Sequence, residues 1–192
     1  MPALSGREFA RPIPASRWAV PAKRLARELL GVRLVRRVGR SWRAVRIVEC
    51  EAYEPGDPAS HAFLGPSVRN RSMYAPPGTL YVFSIHQVVC ANVVGRPGEA
   101  ALIRAGEPLT RGLPDPSGPG RLCRALGIDR SWDGVSLERS ELRLLPRTGP
   151  VGALLVGPRV GLSHARDRPL RFALAGNDWV SSPRRGLAPL QH

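Results

Sequence analysis

The sequence predicts one mixed α/β domain of the α+β kind, built on antiparallel strands with few helices. Three observations predict it. Runs rich in β-branched residues follow one another across short turns, which is how hairpins read in sequence. Helix start and stop signals appear in only two places. The 192 residues, 43% of them hydrophobic, suffice for one well-buried core, and nothing requires a second.

Residues 1–20 read as an irregular arm. Residues 21–31 then form a helix, with Pro21 at its start, Gly31 just past its end, and Leu25 and Leu29 on one face. Residues 32–38 and 42–53 make a hairpin around Gly39-Arg40. Residues 54–78 are rich in Pro, Gly, Ser and Asp and form a long loop; loops of that length are usually functional or disordered. Strands at 79–85, 88–94 and 100–105 complete an antiparallel meander, the last two joined by Gly95-Arg96-Pro97-Gly98. A second irregular loop, 110–120, leads into a short helix at 121–126 closed by Gly127. Further strands are expected at 141–145, 153–156, 159–162 and 169–174. The organisation is therefore an arm (1–20), a domain (21–180) and a basic flexible tail (181–192).

No segment approaches the roughly 18 uninterrupted apolar residues of a membrane span, and residues 1–18 are too polar and proline-broken for a signal peptide's apolar stretch. A soluble intracellular protein is expected. Cys50, Cys90 and Cys123 are odd in number and widely spaced, so neither a disulfide framework nor a zinc site is indicated, and each fits a small buried hydrophobe in a reducing compartment. No metal or other cofactor is implied. A formal charge of +14 points to a polyanionic partner, most naturally nucleic acid. Lys23 is the only lysine, so 28 of the 29 cations are arginine, a bias that a GC-rich coding sequence also produces.

Polar residues interrupt the strands where apolar ones belong. Strict alternation puts Glu51 and Tyr53 on the face shared by Val45 and Ile47, where an ionised carboxylate must be paired. Asn92 interrupts the strand at 88–94, and Arg104 the one at 100–105. Each has a structural alternative: an ion pair for Glu51, core packing for Tyr53, a satisfied strand-end amide for Asn92, an exposed position for Arg104. Together they describe a pocket for a planar ligand, with Tyr53 and Phe83 as walls. Base stacking on such walls contributes roughly 1 to 3 kcal/mol, the amide tests an edge, and the arginine keeps the carboxylate ionised against desolvation. In the long loop, His61 and the Arg69-Asn70-Arg71-Ser72-Met73 stretch could grip phosphates, or could be a surface histidine and solvated charges.

Seven ordered motifs carry a more specific signal. They are Glu51-Ala52-Tyr53, Asp57-Pro58-Ala59-Ser60-His61, Arg69-Asn70-Arg71, the stretch from Pro77 to Val82, Cys90-Ala91-Asn92-Val93, the stretch from Leu102 to Pro108, and the stretch from Gly118 to Cys123. In this order they resemble the alkyladenine (3-methyladenine) DNA glycosylase family, bacterial type, from about Leu25 to Val180. The resemblance implies a single mixed α/β domain with a curved antiparallel sheet, which wedges the minor groove, flips a damaged purine into a pocket and hydrolyses its N-glycosidic bond. By that resemblance Glu51 matches the general base, while Arg104 and the backbone carbonyl of Val160 match groups that hold the attacking water. Tyr53 on one side, with His61 and Phe83 on the other, match the residues that sandwich the base. Asn92 matches the amide that obstructs guanine's exocyclic amine. Arg69, Asn70, Arg71 and Met73, with Ile85, His86 and Gln87 in the wedge region, fall to the DNA interface.

Double-stranded DNA containing damaged purines is then the partner, handled by a monomer in the bacterial cytoplasm in association with the nucleoid. With no lysine near the site, hydrolysis without strand cleavage is expected. Two departures stand out. Phe83 occupies a position where tyrosine is common in the family, and residues 84–89 lack the usual Tyr-Gly pair and are one residue shorter, with His86 the candidate for intercalation. Two rival readings remain: an O-glycosidase using Glu49 and Glu51 as an acid/base pair, and a non-catalytic nucleic-acid-binding module on the same fold.

Overall fold

The computed structural model describes residues 6–191. Among these, three helices, α1 (Gly6–Phe9), α2 (Ala22–Leu29) and α3 (Pro119–Leu126), accompany nine strands: β1 (Arg33–Val38), β2 (Ser41–Tyr53), β3 (Leu80–Ile85), β4 (Val88–Val94), β5 (Ala100–Pro108), β6 (Leu142–Leu145), β7 (Leu154–Gly157), β8 (Arg171–Leu174) and β9 (Ala188–Pro189). All nine join one open antiparallel sheet in the order β3-β4-β5-β2-β8-β7-β9, with β1 bridging β2 and β6. The thirteen-residue β2 is its axis: one edge pairs with β5 and the other with β1 and then β8.

One face of this sheet is the main core. Leu25 and Leu29 from α2 and Leu122 and Leu126 from α3 pack onto Val45, Ile47, Val48, Cys50 and Ala52 of β2 and Ile103 of β5, all fully buried. The three cysteines are free and buried. The other face is closed by the long loops and holds a smaller cluster of Ala62, Met73, Tyr81, Val94 and Ala100, against which Tyr53 and Phe83 pack.

Strict alternation fails at one place on β2. Register slips between Ile47 and Glu49 and again between Glu49 and Cys50, so that Ile47 faces Gly106, Glu49 faces Ala105 and Cys50 faces Ile103. Ile47 and Val48, adjacent in sequence, both join the main core. The slip reverses the parity of the residues beyond it, as one extra residue in a strand must. Glu49, Glu51 and Tyr53 are therefore turned away from the face of Val45 and Ile47, contrary to the alternation expected from sequence.

Other boundaries shift for local reasons. Residues 159–162, expected as a strand, form a loop after Pro158 in which Gly161 has φ of +78°, a conformation that ends extended pairing. The arm is not wholly irregular: it carries α1 and a turn of 3-10 helix at Ala15–Trp18, and Trp18 is buried in the main core. Residues 1–5 of that arm lie outside the described residues. The expected tail contributes β9, paired with β7, and buries Ser181; His192 lies outside the described residues. Among the described residues no helix is long and apolar enough to cross a membrane.

Gly106, opposite Ile47, is closed over by Val45: a Cβ there would stand 2.7 Å from Val45 Cβ. Gly106→Ala is expected to destabilise the fold by roughly 1–3 kcal/mol through overpacking. Denaturant unfolding of the two proteins checks this, an unchanged midpoint counting against close packing at the slip.

Candidate active site

Beyond the slip, β2 presents Glu49, Glu51 and Tyr53 to the loop-covered face, and both carboxylates are fully buried. Glu51 Oε1 accepts from the backbone N–H of Val160 at 2.8 Å and is paired with Arg104 Nη1 at 3.2 Å. Its Oε2 accepts from the Tyr53 hydroxyl at 2.9 Å. Burial pushes the Glu51 carboxyl above the usual carboxylate range; the Arg104 charge, the Val160 amide and the Tyr53 hydroxyl oppose that push without cancelling it, and the negative charge of Glu49 adds to it. The Tyr53 phenol is driven well above its ordinary value by burial and then by the Glu51 charge, so it stays protonated and donates. Burial works against the charge of Arg104, but Glu51 and Glu49 outweigh it and raise its pKa.

Arg104 does not act on Glu51 alone. Its Nε donates to Glu49 Oε1 at 2.9 Å, and its Nη2 to the Ser181 hydroxyl at 3.3 Å. Glu49 in turn accepts from Arg171 Nε at 2.6 Å and from the Ser181 backbone N–H at 2.7 Å. Arg171 completes the chain by donating to the carbonyls of Pro183, at 2.7 Å, and Ser181, at 2.9 Å. Glu51, Arg104, Glu49 and Arg171 thus alternate in sign through the interior. Glu49 enters the sequence reading only as half of an O-glycosidase pair, and that reading fails here: Glu49 is enclosed by two arginines and an amide, with no freedom to trade protons with a sugar. A second arginine in the apolar run Arg171-Phe172-Ala173-Leu174 was the available sign that Glu49 had an internal partner.

Tyr53 is supported from behind. The Arg159 guanidinium lies 4.7 Å from its ring centre, donates to the Ala52 carbonyl at 2.9 Å and pairs with Asp57 at 2.5 Å. Burial raises the Asp57 carboxyl, yet Arg159, the Ala59 amide and Arg168 outweigh it and hold it below the usual range. Asp57 opens one of the motifs read from sequence, but neither it nor Arg159 is given a role there, since their partnership joins loops a hundred residues apart.

Beside Tyr53, whose hydroxyl reaches Glu51, a recess is lined by Tyr53, Ala59, His61, Met73, Tyr81, Phe83, Ile85, Asn92 and Leu162. His61 and Phe83 touch edge to face, ring centres 4.4 Å apart, and His61 Nδ1 is 2.8 Å from the Tyr81 hydroxyl. Asn92 donates its amide to the Tyr81 carbonyl at 3.0 Å, which fixes the orientation of a buried side chain. The four pocket residues read from sequence thus come together, and Tyr81, Ala59 and Leu162 join them.

The residues expected at a DNA interface divide. Arg69, Arg71, Ile85, His86 and Gln87 are exposed. His86 and Gln87, both at positive φ, form the two-residue turn of the β3–β4 hairpin, the conformation whose twist matches paired strands. Asn70 and Met73 are buried instead. Asn70 ties its own loop together, donating to the carbonyls of His61 and Gly65 and accepting from the amide and hydroxyl of Ser67, because a short amide satisfies several turn groups at once. Met73 packs in the pocket floor. Both are corrections to the expected interface. Val160 reaches Glu51 through its N–H, where the sequence reading had drawn attention to its carbonyl.

Residues 16–178 match the family model described as methylpurine-DNA glycosylase. Among curated relatives, a protein of Nitrosospira multiformis is 42% identical over 189 residues, covering 90% of this chain and 95% of its own. One from Anaeromyxobacter dehalogenans is 44% identical over 185 residues, covering 92% and 88%. One from Synechococcus elongatus is 46% identical over 169 residues, covering 84% and 86%. All three are designated 3-methyladenine DNA glycosylase, a designation itself inferred. The class is thereby defined: DNA glycosylases, which are hydrolases. The chain belongs to the methylpurine-DNA glycosylase family.

His61 is exposed at the pocket mouth as a residue, but partial desolvation of its ring beside Tyr81 and Phe83 holds the imidazole below its ordinary value of 6.5. The unfolded chain titrates near 6.5, so between the two values it binds a proton that the fold refuses, and stability falls as pH is lowered through that window. NMR titration of the His61 ring is expected to give a midpoint below 6.5; one at or above it would contradict that desolvation.

Proposed function

We propose that the protein, acting as a monomer, flips a damaged purine out of duplex DNA into the recess beside Tyr53 and hydrolyses its N-glycosidic bond with Glu51. The observation that carries this reading is Glu51: a fully buried carboxylate whose basicity is raised by desolvation, steadied by Arg104 and joined through the Tyr53 hydroxyl to a recess walled by rings. A carboxylate offers about four acceptor directions, and Val160, Arg104 and Tyr53 occupy three. The fourth, on Oε2, serves the attacking water, which the Val160 carbonyl helps to hold. Water oxygen bonds to C1′, its proton passes to Glu51, and the electrons of the glycosidic bond leave with the purine.

Alkylated purines such as 3-methyladenine and 7-methylguanine are cationic and depart as neutral bases, so the enzyme must chiefly flip, orient and activate water. Hypoxanthine and ethenoadenine are the neutral members of the same substrate class. Flipping costs a few kcal/mol and is cheapest at damaged pairs. Tyr53 stacks on one face of the base, His61 and Phe83 bear on the other, and Asn92, fixed by the Tyr81 carbonyl, meets guanine's exocyclic amine. Ile85, His86 and Gln87 at the hairpin tip form the wedge, and Arg69 and Arg71 grip the backbone beside it. Lys23 lies on α2, which packs against the opposite face of the sheet, so no lysine attacks, and hydrolysis proceeds without strand cleavage.

Glu51→Gln is expected to lower release of 3-methyladenine from duplex DNA by roughly 10²–10⁴-fold, the size of a general-base contribution, while duplex binding persists and weakens steeply with added salt. Excision assays and binding titrations read both. Undiminished release from Glu51→Gln would overturn the role of Glu51, and absence of release from the wild type would favour the binding module.

A further inference from the structure

We propose that Glu49 is a positioning residue for Glu51: by sharing Arg104, it sets both the direction of that guanidinium and the basicity of the carboxylate beyond it. The inference rests on the reading of Glu51 as the general base and goes one step behind it. Glu51 is met by groups from five directions. On β2 these are Glu49 and Tyr53, on β5 Arg104, on β8 its cross-strand partner Arg171, on β4 Cys90, and on the loop after β7 the Val160 amide, while Arg159 on the same loop bears on Tyr53. Of the cations, Arg171 is spent on Glu49, Ser181 and Pro183, and Arg159 on Asp57 and Ala52. Arg104 is therefore the one guanidinium within ion-pair distance of Glu51 among the described residues.

That guanidinium has a fixed division of labour. Nε faces Glu49 at 2.9 Å, Nη1 faces Glu51 at 3.2 Å and Nη2 faces the Ser181 hydroxyl at 3.3 Å. A planar fork of donors can be aimed only if more than one of its edges is held. The contact to Glu49 is the shorter, so Glu49 is the anchor and Glu51 the shared partner. Glu49 also binds the Ser181 amide, and Arg171 clasps the chain from Ser181 to Pro183, which makes the C-terminal segment part of the frame. The arrangement keeps Glu51 ionised while leaving it more basic than an arginine of its own would allow.

The test is the pH dependence of single-turnover 7-methylguanine release from duplex DNA. That base is already cationic and departs without protonation, so the acidic limb reports the general base. Glu49→Gln keeps an acceptor for Arg104 but removes the neighbouring negative charge, leaving Arg104 and Arg171 with one carboxylate between them. The acidic midpoint is expected to move down by about one pH unit, the order a like charge at strand i,i+2 spacing exerts, with a lower plateau because the base is weaker. Glu49→Asp keeps the charge but withdraws it by one methylene, drawing Arg104 off Glu51, and moves the midpoint up. Circular dichroism and melting identify which variants fold, and either folded variant decides. A midpoint that stays put, or moves opposite to these directions, assigns Glu49 to structure alone and overturns the proposal. Glu51→Gln, run alongside, separates the two readings: its undiminished release defeats the general-base reading, whereas its loss with an unmoved Glu49 limb defeats only the role of Glu49.

Discussion

Two carboxylates two residues apart on the central strand of a sheet cannot both stay ionised in a dry interior without cations brought to them, because the isolated charges would cost far more than the fold's total stability. The alternation Glu51, Arg104, Glu49, Arg171 meets that requirement, and much of the molecule is arranged around it. The slip on β2 turns both carboxylates off the helix-covered face. β5 and β8, which flank β2, each supply one arginine. The chain after β8 returns to the sheet because Glu49 and Arg171 still need the amide and carbonyl of Ser181 and the carbonyl of Pro183. Buried ion networks of this kind seldom add net stability over apolar packing, though removing one member leaves an uncompensated charge. Under the role proposed for Glu51 such a network has a purpose, since a carboxylate with raised basicity must be both desolvated and prevented from collapsing to the neutral acid.

How much was legible in the sequence depends on the range of the forces involved. The hairpin from β1 to β2, the meander from β3 to β5 and both longer helices declare themselves locally, through turn residues, β-branched runs and Pro21 and Gly127 at helix ends. The slip at Val48 does not, since it depends on how β5 packs beside β2; with period two alone, Glu51 lands on the wrong face. Glu51, Asn92 and Arg104 were visible as polar interruptions of apolar strands. Glu49, of the same residue type as Glu51 and two positions before it, carried no local mark of its different surroundings; the one sign lay far off in sequence, in Arg171 at the head of an apolar run. Asn70 looks like a phosphate ligand between two arginines, yet an amide that can satisfy four groups of its own loop is better used inside it. Ser181 falls in a stretch whose composition suggests a tail, because one serine among prolines and arginines gives no local sign of a carboxylate waiting across the sheet.

The excess of arginine reads differently once its members are sorted. Arg104, Arg159 and Arg171 are buried against Glu49, Glu51 and Asp57, and Arg33, close to buried, is paired with Glu8. Three buried arginines thus answer three buried carboxylates, and nearly all of the formal charge of +14 is carried outside, where a polyanion can meet it. The same residue type serves both places for different reasons. At the surface it offers charge to phosphates; inside, its planar fork and its refusal to give up a proton are what matter. A lysine in place of Arg104 would supply one point charge where two carboxylates and a hydroxyl must be held in fixed directions. The chain's near-total preference for arginine is compatible with a coding bias, but at positions 104, 159 and 171 the geometry itself requires it.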